Sequence, residues 1–257
     1  MTAAATVFRG AGRVWLRDWT VWRHVARWLL VPSLLDPIVF LVAMGLGVGS
    51  YVTSVDGGTY IAFIAPGLLM SGVMYQASFE TTWNIHFKLE MRSTYASMLS
   101  TPLEPADLVL GDMLWGATRA TITGAIFFAV IVVAGLVSSW WALLMPIAAA
   151  LVAVDFASMG MLASAYIKDM NLYAYYYTVV IVPMFLFSGV FFEITNLPAW
   201  AQKVAWALPL FHGATLSRQL ATGAVGASSL VHAAYLIVLP LLLLPPAVRR
   251  MRARLLG

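Results

Sequence analysis

Four ionisable side chains, Asp36, Glu80, Arg119 and Asp155, fall inside long apolar runs of this chain, where charge is expensive and its presence therefore informative. A charged residue at the centre of a membrane span costs about 2.5–3.5 kcal/mol on the insertion scale, so those retained face a protein interior or snorkel to an interface. Asp36, in LLDPIVF beside Pro37, lies near the start of its run and can reach water or cap the backbone that the proline frees. Glu80 and Arg119 lie in consecutive runs on either side of a polar segment. Antiparallel helices would bring them to one depth, and the chemistry expected there is an ion pair. Asp155 sits midway along its run, ahead of Ser158 and Gly160. It is the costliest of the four and can in principle carry a proton, although a hydrogen bond to a neighbouring helix is the more ordinary use. His86 and Glu90 share a helix face at i, i+4 spacing, but two ligands without a third make no metal site.

The elements that must hold these groups follow from composition. Of the 257 residues, 61% are hydrophobic and 10% charged, against about 25% charged in a soluble domain. Apolar windows of about 20 residues, each long enough to cross a bilayer, occur at residues 29–50, 60–83, 113–137, 141–166, 173–192 and 230–248. The expected class is thus an all-α polytopic membrane protein with six transmembrane helices. No length remains for a separate soluble catalytic domain. Cysteine is absent, which excludes disulfides and thiolate chemistry. Twelve of the fifteen basic residues fall at the N-terminus, between spans two and three, between four and five, or after span six. The positive-inside rule then places both termini in the cytoplasm. The net charge of +4 reflects that topology and gives no reason to expect a nucleic-acid partner.

Residues 7–28 form an amphipathic pattern: at 100° per residue Arg9, Arg13, Arg17, Arg23 and Arg27 share one arc, with Phe8, Trp15, Trp19 and Trp22 opposite. Such a helix is expected to lie along the inner interface, against membrane lipid. Asp18 lies off the basic stripe and has no evident role in it.

Residues 88–105, the longest loop on the basic side, hold a short helix expected over Lys88–Leu99 and closed by Pro102 and Pro105. An acidic residue, Glu90, precedes the run Thr94, Tyr95, Met98, Leu99, Thr101, Pro102, Leu103, and Arg92 lies between. This block resembles the coupling helix of type-2 ABC-exporter permeases, closest to the branch that exports nodulation lipo-oligosaccharides and to related drug-efflux permeases. Residues 193–228 contain two apolar, helix-like pieces too short to cross a bilayer, which are expected to be re-entrant. They follow FSGVFF and carry Leu197, Pro198, Trp200, Gln202, Pro209, Leu210 and His212, again similar to the family's outer gate, although Glu193 stands where members often have proline. Tyr173, Tyr176, Tyr177, Phe187, Phe191, Phe192, Glu193, Trp200 and His212 are the expected conduit and gate residues. Aromatic faces with a few hydroxyls suit an amphiphilic cargo.

The resemblance implies a bacterial plasma-membrane permease that pairs with a second copy of itself and with an ABC nucleotide-binding ATPase subunit, which would supply ATP and magnesium. The chain itself has no G-x-x-x-x-G-K-[ST] phosphate loop, no H-E-x-x-H and no G-x-S-x-G, so no catalytic residue and no cofactor of its own is expected. The competing expectation is a proton-driven transporter of amphiphiles using Asp155 and Glu80, which has no need of a docking lever.

Overall fold

In the computed structural model, which describes residues 3–52, 55, 58–91 and 94–256, the chain is all-helical apart from one isolated bridge between Val55 and Gly58. The side chains of residues 3–9, 27, 29, 30, 32–34, 36 and 91 lie outside that description, and with them the expected role of Asp36. Arg92 also lies outside the described residues.

The first helix, α1 (Ala3–Gly47), runs 45 residues without interruption. The interface helix and first span expected at 7–28 and 29–50 are therefore one element. The prolines at 32 and 37 are carried within it, which helices at membrane depth tolerate when neighbours re-satisfy the freed backbone groups. Its tryptophan face is not left to lipid. Trp19 and Trp22 meet Trp115 at 6.4 and 5.8 Å between ring centroids, and Trp15 donates from its indole to Thr118 Oγ1 at 3.0 Å.

Helix α2 (Tyr60–Thr81) starts with the Thr59 side chain accepting from the Ala62 N–H. It breaks at Thr82 (φ −113°, ψ −83°), whose hydroxyl bonds to the Ser78 carbonyl, before the four-residue α3 (Trp83–His86). A π-helical turn, Phe87–Met91, and α4 (Thr94–Leu99) follow in place of the single helix expected over 88–99. Helix α5 (Pro105–Val133) begins eight residues before the apolar window did: Pro105 occupies the first turn, and Glu104 and Asp107 form a reciprocal capping box. Helix α6 (Met145–Tyr166) follows a 3₁₀ turn over Trp140–Leu144.

The fifth apolar run is divided into α7 (Leu172–Tyr175), a π-helical stretch (Tyr176–Ile181) and α8 (Val182–Phe187), and its helix ends at Phe187, five residues short of Phe192 and just before Gly189, which takes φ +69°. Two short helices, α9 (Ala199–Trp206) and α10 (Pro209–Thr222), lead to α11 (Ala227–Leu256), which carries Pro240, Pro245 and Pro246 internally. Among the described residues, four helical stretches are long and apolar enough to cross a membrane, Tyr60–Glu90, Pro105–Val133, Trp140–Tyr166 and Ala227–Leu256, and two shorter apolar ones are Pro37–Ser50 and Leu172–Phe187.

Small residues set the spacing of the bundle. A side chain added at Gly160 of α6 would meet Thr81 Oγ1 of α2, and one added at Gly111 of α5 would meet Val14 of α1. The core is built from α2, α5, α6 and α10, with a second apolar cluster around Tyr95, Leu108, Met161 and Met251 where α4, α5, α6 and α11 meet.

Candidate functional site

The segment between α2 and α5 is bound into the bundle by charge. Lys88 Nζ lies 2.6 Å from Asp18 Oδ2 on α1 and 2.5 Å from Asp112 Oδ1 on α5. The Tyr95 hydroxyl donates to the other oxygen of Asp112, and Arg17 pairs with Asp18 at 2.8 Å. On the far side of the loop, Arg254 of α11 donates from Nη2 to Glu90 at 3.0 Å, while its Nη1 donates to the Ile167 carbonyl at 2.6 Å and to the Ser164 carbonyl. One short polypeptide stretch thereby reaches α1, α5 and α11, and Arg254 carries the connection on to the end of α6.

Tyr95, expected on the docking surface, is 2% exposed and points inward. An α-helix of six residues has one apolar face, and in α4 that face, with Tyr95 leading and Met98 and Leu99 half-buried beside it, packs on α5. The outward surface is made instead by Ala96, Ser97, Thr101, Pro102 and Glu90, whose side chain is 52% exposed; Thr94 is half-buried. Burial lifts the Asp18 carboxyl from 3.8 to about 6, with Lys88 pulling against it and Asp112 adding to it. Burial raises the Tyr95 phenol as well, and the Asp112 charge adds to that.

Deeper in the bundle, Arg119 pairs with Glu80 as the antiparallel register requires. Glu80 accepts further hydrogen bonds from Gln76 at 3.1 Å and Asn84 at 2.8 Å. Asp155 is fully buried, and neither carboxylate oxygen has a hydrogen-bond partner among the described residues. The expected bond to a neighbouring helix is absent among the described residues: the Tyr235 hydroxyl of α11 donates to the Ala207 carbonyl, and Ser158, on α6 itself, to that of Val154.

The tyrosines of the fifth run divide between interior and surface. Tyr173 is buried and donates to Ser164 Oγ at 3.2 Å; Tyr176 is buried, and the hydroxyl of half-buried Tyr177 lies 3.2 Å from Thr82 Oγ1. Hydroxyls thus join the fifth run to α6 and to the end of α2. A partly exposed aromatic cluster lies further along: Phe185 meets Phe191 at 4.9 Å, Tyr75 at 5.7 Å and Phe40 at 6.2 Å. Phe40 and Tyr75 belong to it without any sequence signal, since each looks like one more aromatic in an apolar run. Phe187 and Trp200 face outward, at 38% and 65% exposed, while Phe192 and Glu193 are half-buried. Arg218 of α10 closes the end of α8, donating to the Val190 carbonyl at 3.0 Å and to that of Phe63 at 3.0 Å, with its guanidinium 4.0 Å from the Phe63 ring centroid. His212 is buried, and His232 of α11, 20 residues on, lies against it.

No group of three or more His, Asp or Glu side chains positioned for a metal occurs among the described residues, and His86 packs edge-on against Tyr173 at 5.6 Å. The geometry offers a mechanical attachment at one end, a buried ion pair in the middle and an aromatic surface between α1, α2 and α8.

The chain matches known proteins over most of its length. A family model described as ABC-2 type transporter matches residues 13–222, from the tryptophan face of α1 through α10. The chain is 34% identical over 242 residues to Nodulation protein J of Rhizobium leguminosarum bv. viciae, covering 92% of this chain and 93% of that one. Nodulation protein J of Sinorhizobium fredii (strain NBRC 101917 / NGR234) is 30% identical over 245 residues, 95% and 93% of the two chains. Inner membrane transport permease YadH of Escherichia coli (strain K12) is 24% identical over 203 residues, 77% of each.

Proposed function

This chain belongs to the ABC-2 type transporter family, and from that premise we propose that it is the membrane-spanning half of an ATP-driven exporter that moves an amphiphilic or lipid-linked cargo out of a bacterium by alternating access. Two copies would enclose the pathway, each crossing the membrane six times with both termini in the cytoplasm. A separate ATPase subunit with its ATP and magnesium would dock beneath them. The carrying observation is the way the segment over 87–104 is held: Lys88 to Asp18 and Asp112, Tyr95 to Asp112, and Glu90 to Arg254. A partner that grips the outward face of α4 moves α1, α5 and α11 together, because ion pairs and a buried phenol, rather than a flexible connector, join them.

The half-exposed aromatic cluster of Phe40, Tyr75, Phe185 and Phe191 supports an apolar cargo bearing some polar groups. Lipo-oligosaccharides, other lipid-linked glycans and amphiphilic drugs share that character. A proton-driven mechanism through Glu80 is disfavoured by the three donors that hold its carboxylate, Arg119, Gln76 and Asn84.

The test uses the chain in lipid nanodiscs, alone and with the ATPase subunit that co-purifies from native membranes. Alone it should not hydrolyse ATP; with the subunit it should. Ala96→Trp, on the outward face of α4, should abolish cargo-stimulated turnover without lowering thermal stability. ATP turnover by the isolated chain, or normal export by the Trp variant, would refute the assignment.

A further inference from the structure

His212 and His232 close the bundle at the end remote from the coupling segment: His232 lies in the second turn of α11, whose opposite end carries Arg254 against Glu90. Their Nδ1 atoms are 2.8 Å apart. His212 Nε2 lies 2.8 Å from the Trp206 carbonyl, which can only accept, so His212 carries its proton on Nε2. In the neutral pair its Nδ1 is then the acceptor, and His232 must be the tautomer that donates from Nδ1. A Tyr235 ring stacks on His212 at 3.8 Å, and Trp206 stands edge-on at 5.3 Å. Through these contacts the pair joins α9 and α10 to α11.

We propose that His212 and His232 form a single buried proton-binding site whose occupancy decides whether α9 and α10 stay packed on α11. The neutral pair is satisfied by its N–H···N bond. One added proton goes to the free Nε2 of His232, whose Nδ1–H still donates to His212 Nδ1, so the contact survives a single charge. A second proton leaves two N–H groups pointing at each other across 2.8 Å, and the contact must open. The surroundings offer little to neutralise either charge. From α11 comes Tyr235, its hydroxyl committed to Ala207, and from α6 comes Asp155, whose field reaches Tyr235. The rings of Trp206 from α9 and Phe211 from α10 lie against both histidines, the neighbouring Gly213 faces apolar Val152 of α6 and Met70 of α2, Lys203 of α9 is exposed, and α10's own Arg218 is engaged with the carbonyls at the end of α8. Burial accordingly pushes His212 below its ordinary value, opposed by its bond to the Trp206 carbonyl.

The sign follows. A histidine whose pKa is depressed in the packed state favours packing above its free value of about 6.5 and loses that contribution as pH falls below it. Acid on this face should therefore loosen the α9–α10 cap. If the orientation proposed above holds, this is the outer mouth of the pathway, and release there would be eased by external acidity.

Two measurements test the site, and neither needs ATP, a partner or cargo, so their outcome is independent of the exporter assignment. In the first, the intact chain is labelled with ¹⁵N-histidine in nanodiscs and titrated. At pH 8 one imidazole should be the Nε2–H tautomer and its partner Nδ1–H, with uptake of the second proton at least one pH unit, tenfold in concentration, below 6.5. Resonances of His212 and His232, told apart from those of His24 and His86 by their loss in His212→Gln and His232→Gln chains, that show an ordinary tautomer mixture and titrate independently near 6.5 would overturn the proposal. In the second, spin labels at K203C and V231C, both exposed positions in a cysteine-free chain, report the separation of α9 and α11. The distance distribution should lengthen between pH 8 and pH 5, and His232→Gln, which can still donate to His212 but cannot take a proton, should abolish that shift. An unchanged distribution, or an equal shift in the Gln variant, would also overturn it.

Discussion

Replacing Glu80 by Gln removes the counter-charge of Arg119 while keeping the shape of the side chain; its one carbonyl oxygen can still accept from Gln76, and the new amide NH2 faces Asn84, whose own amide can turn to accept it. The Glu80 side chain has no exposed surface and that of Arg119 retains 12%. Were this pair solvated, its loss would cost at most about 1 kcal/mol. Buried, it leaves an uncompensated guanidinium, for which about 3–5 kcal/mol is the usual penalty. At roughly 2–4 °C per kcal/mol for a chain of this size, the melting temperature should fall by about 6–20 °C. Arg119→Gln should cost a similar amount. The double variant, with no charge left to strand, should recover most of the loss, giving a coupling of at least about 2 kcal/mol in a double-mutant cycle. The assay is thermal unfolding of the purified chain in nanodiscs, all four proteins side by side. Single variants within about 1 kcal/mol of the parent, or losses that simply add, would show that Arg119 reaches water and that the pair is not a buried element of the bundle.

Asp18 makes a pH-dependent prediction. Its carboxyl titrates at about 6 when folded and at 3.8 when free, so the native state binds the proton more tightly, and a penalty present above pH 6 is relieved as pH falls toward 4. Asp18→Asn removes that titration; its stability difference from the parent should change by up to about 1.4 kcal/mol per pH unit within this window, and a difference constant from pH 7.5 to 5 would contradict the burial. Packing makes the other prediction. Gly160→Ala sets a methyl 2.2 Å from Thr81 Oγ1 and should destabilise, by about 1–3 kcal/mol, whereas Gly12→Ala, with nothing within 4 Å, should stabilise α1 by about 0.5–1 kcal/mol. Equal melting temperatures for the two variants would refute the α2–α6 contact as described.

The helical class and the Glu80–Arg119 pair were legible because they depend on quantities that a linear sequence carries: length of apolar run and distance of each residue from a shared turn. What the sequence hid depends on rotation and on partners. Asp112 fell at the boundary of an apolar window and drew no notice, although it anchors both Lys88 and Tyr95. Asp18 looked misplaced on a basic helix because its partner, Lys88, is 70 residues away. Tyr95 matched a docking motif, yet which face of a six-residue helix is buried is decided by α5, not by α4. The pairing of His212 with His232 was hidden because the register between α10 and α11, which alone brings them together, is set by a turn at Gly223 and by side-chain packing.

Continuity of α1 changes what the segment between α2 and α5 can do. A separate interface helix hinged near residue 28 would absorb displacement at its joint; a single helix from Ala3 to Gly47 conveys it along its length. Lys88 holds that helix through Asp18, and the tryptophans at 15, 19 and 22 seat it against α5. On the other side the segment meets α2 through the break at Thr82 and the π-helical turn at Phe87–Met91, where the regular i→i−4 ladder is interrupted. Ordered ion pairs toward α1, α5 and α11, against an irregular backbone toward α2, make the first three the stiffer path. A push on α4 should therefore move α1 and α5 as one body and turn against α2, which brings Phe40 of α1 past Tyr75 of α2 at the aromatic cluster.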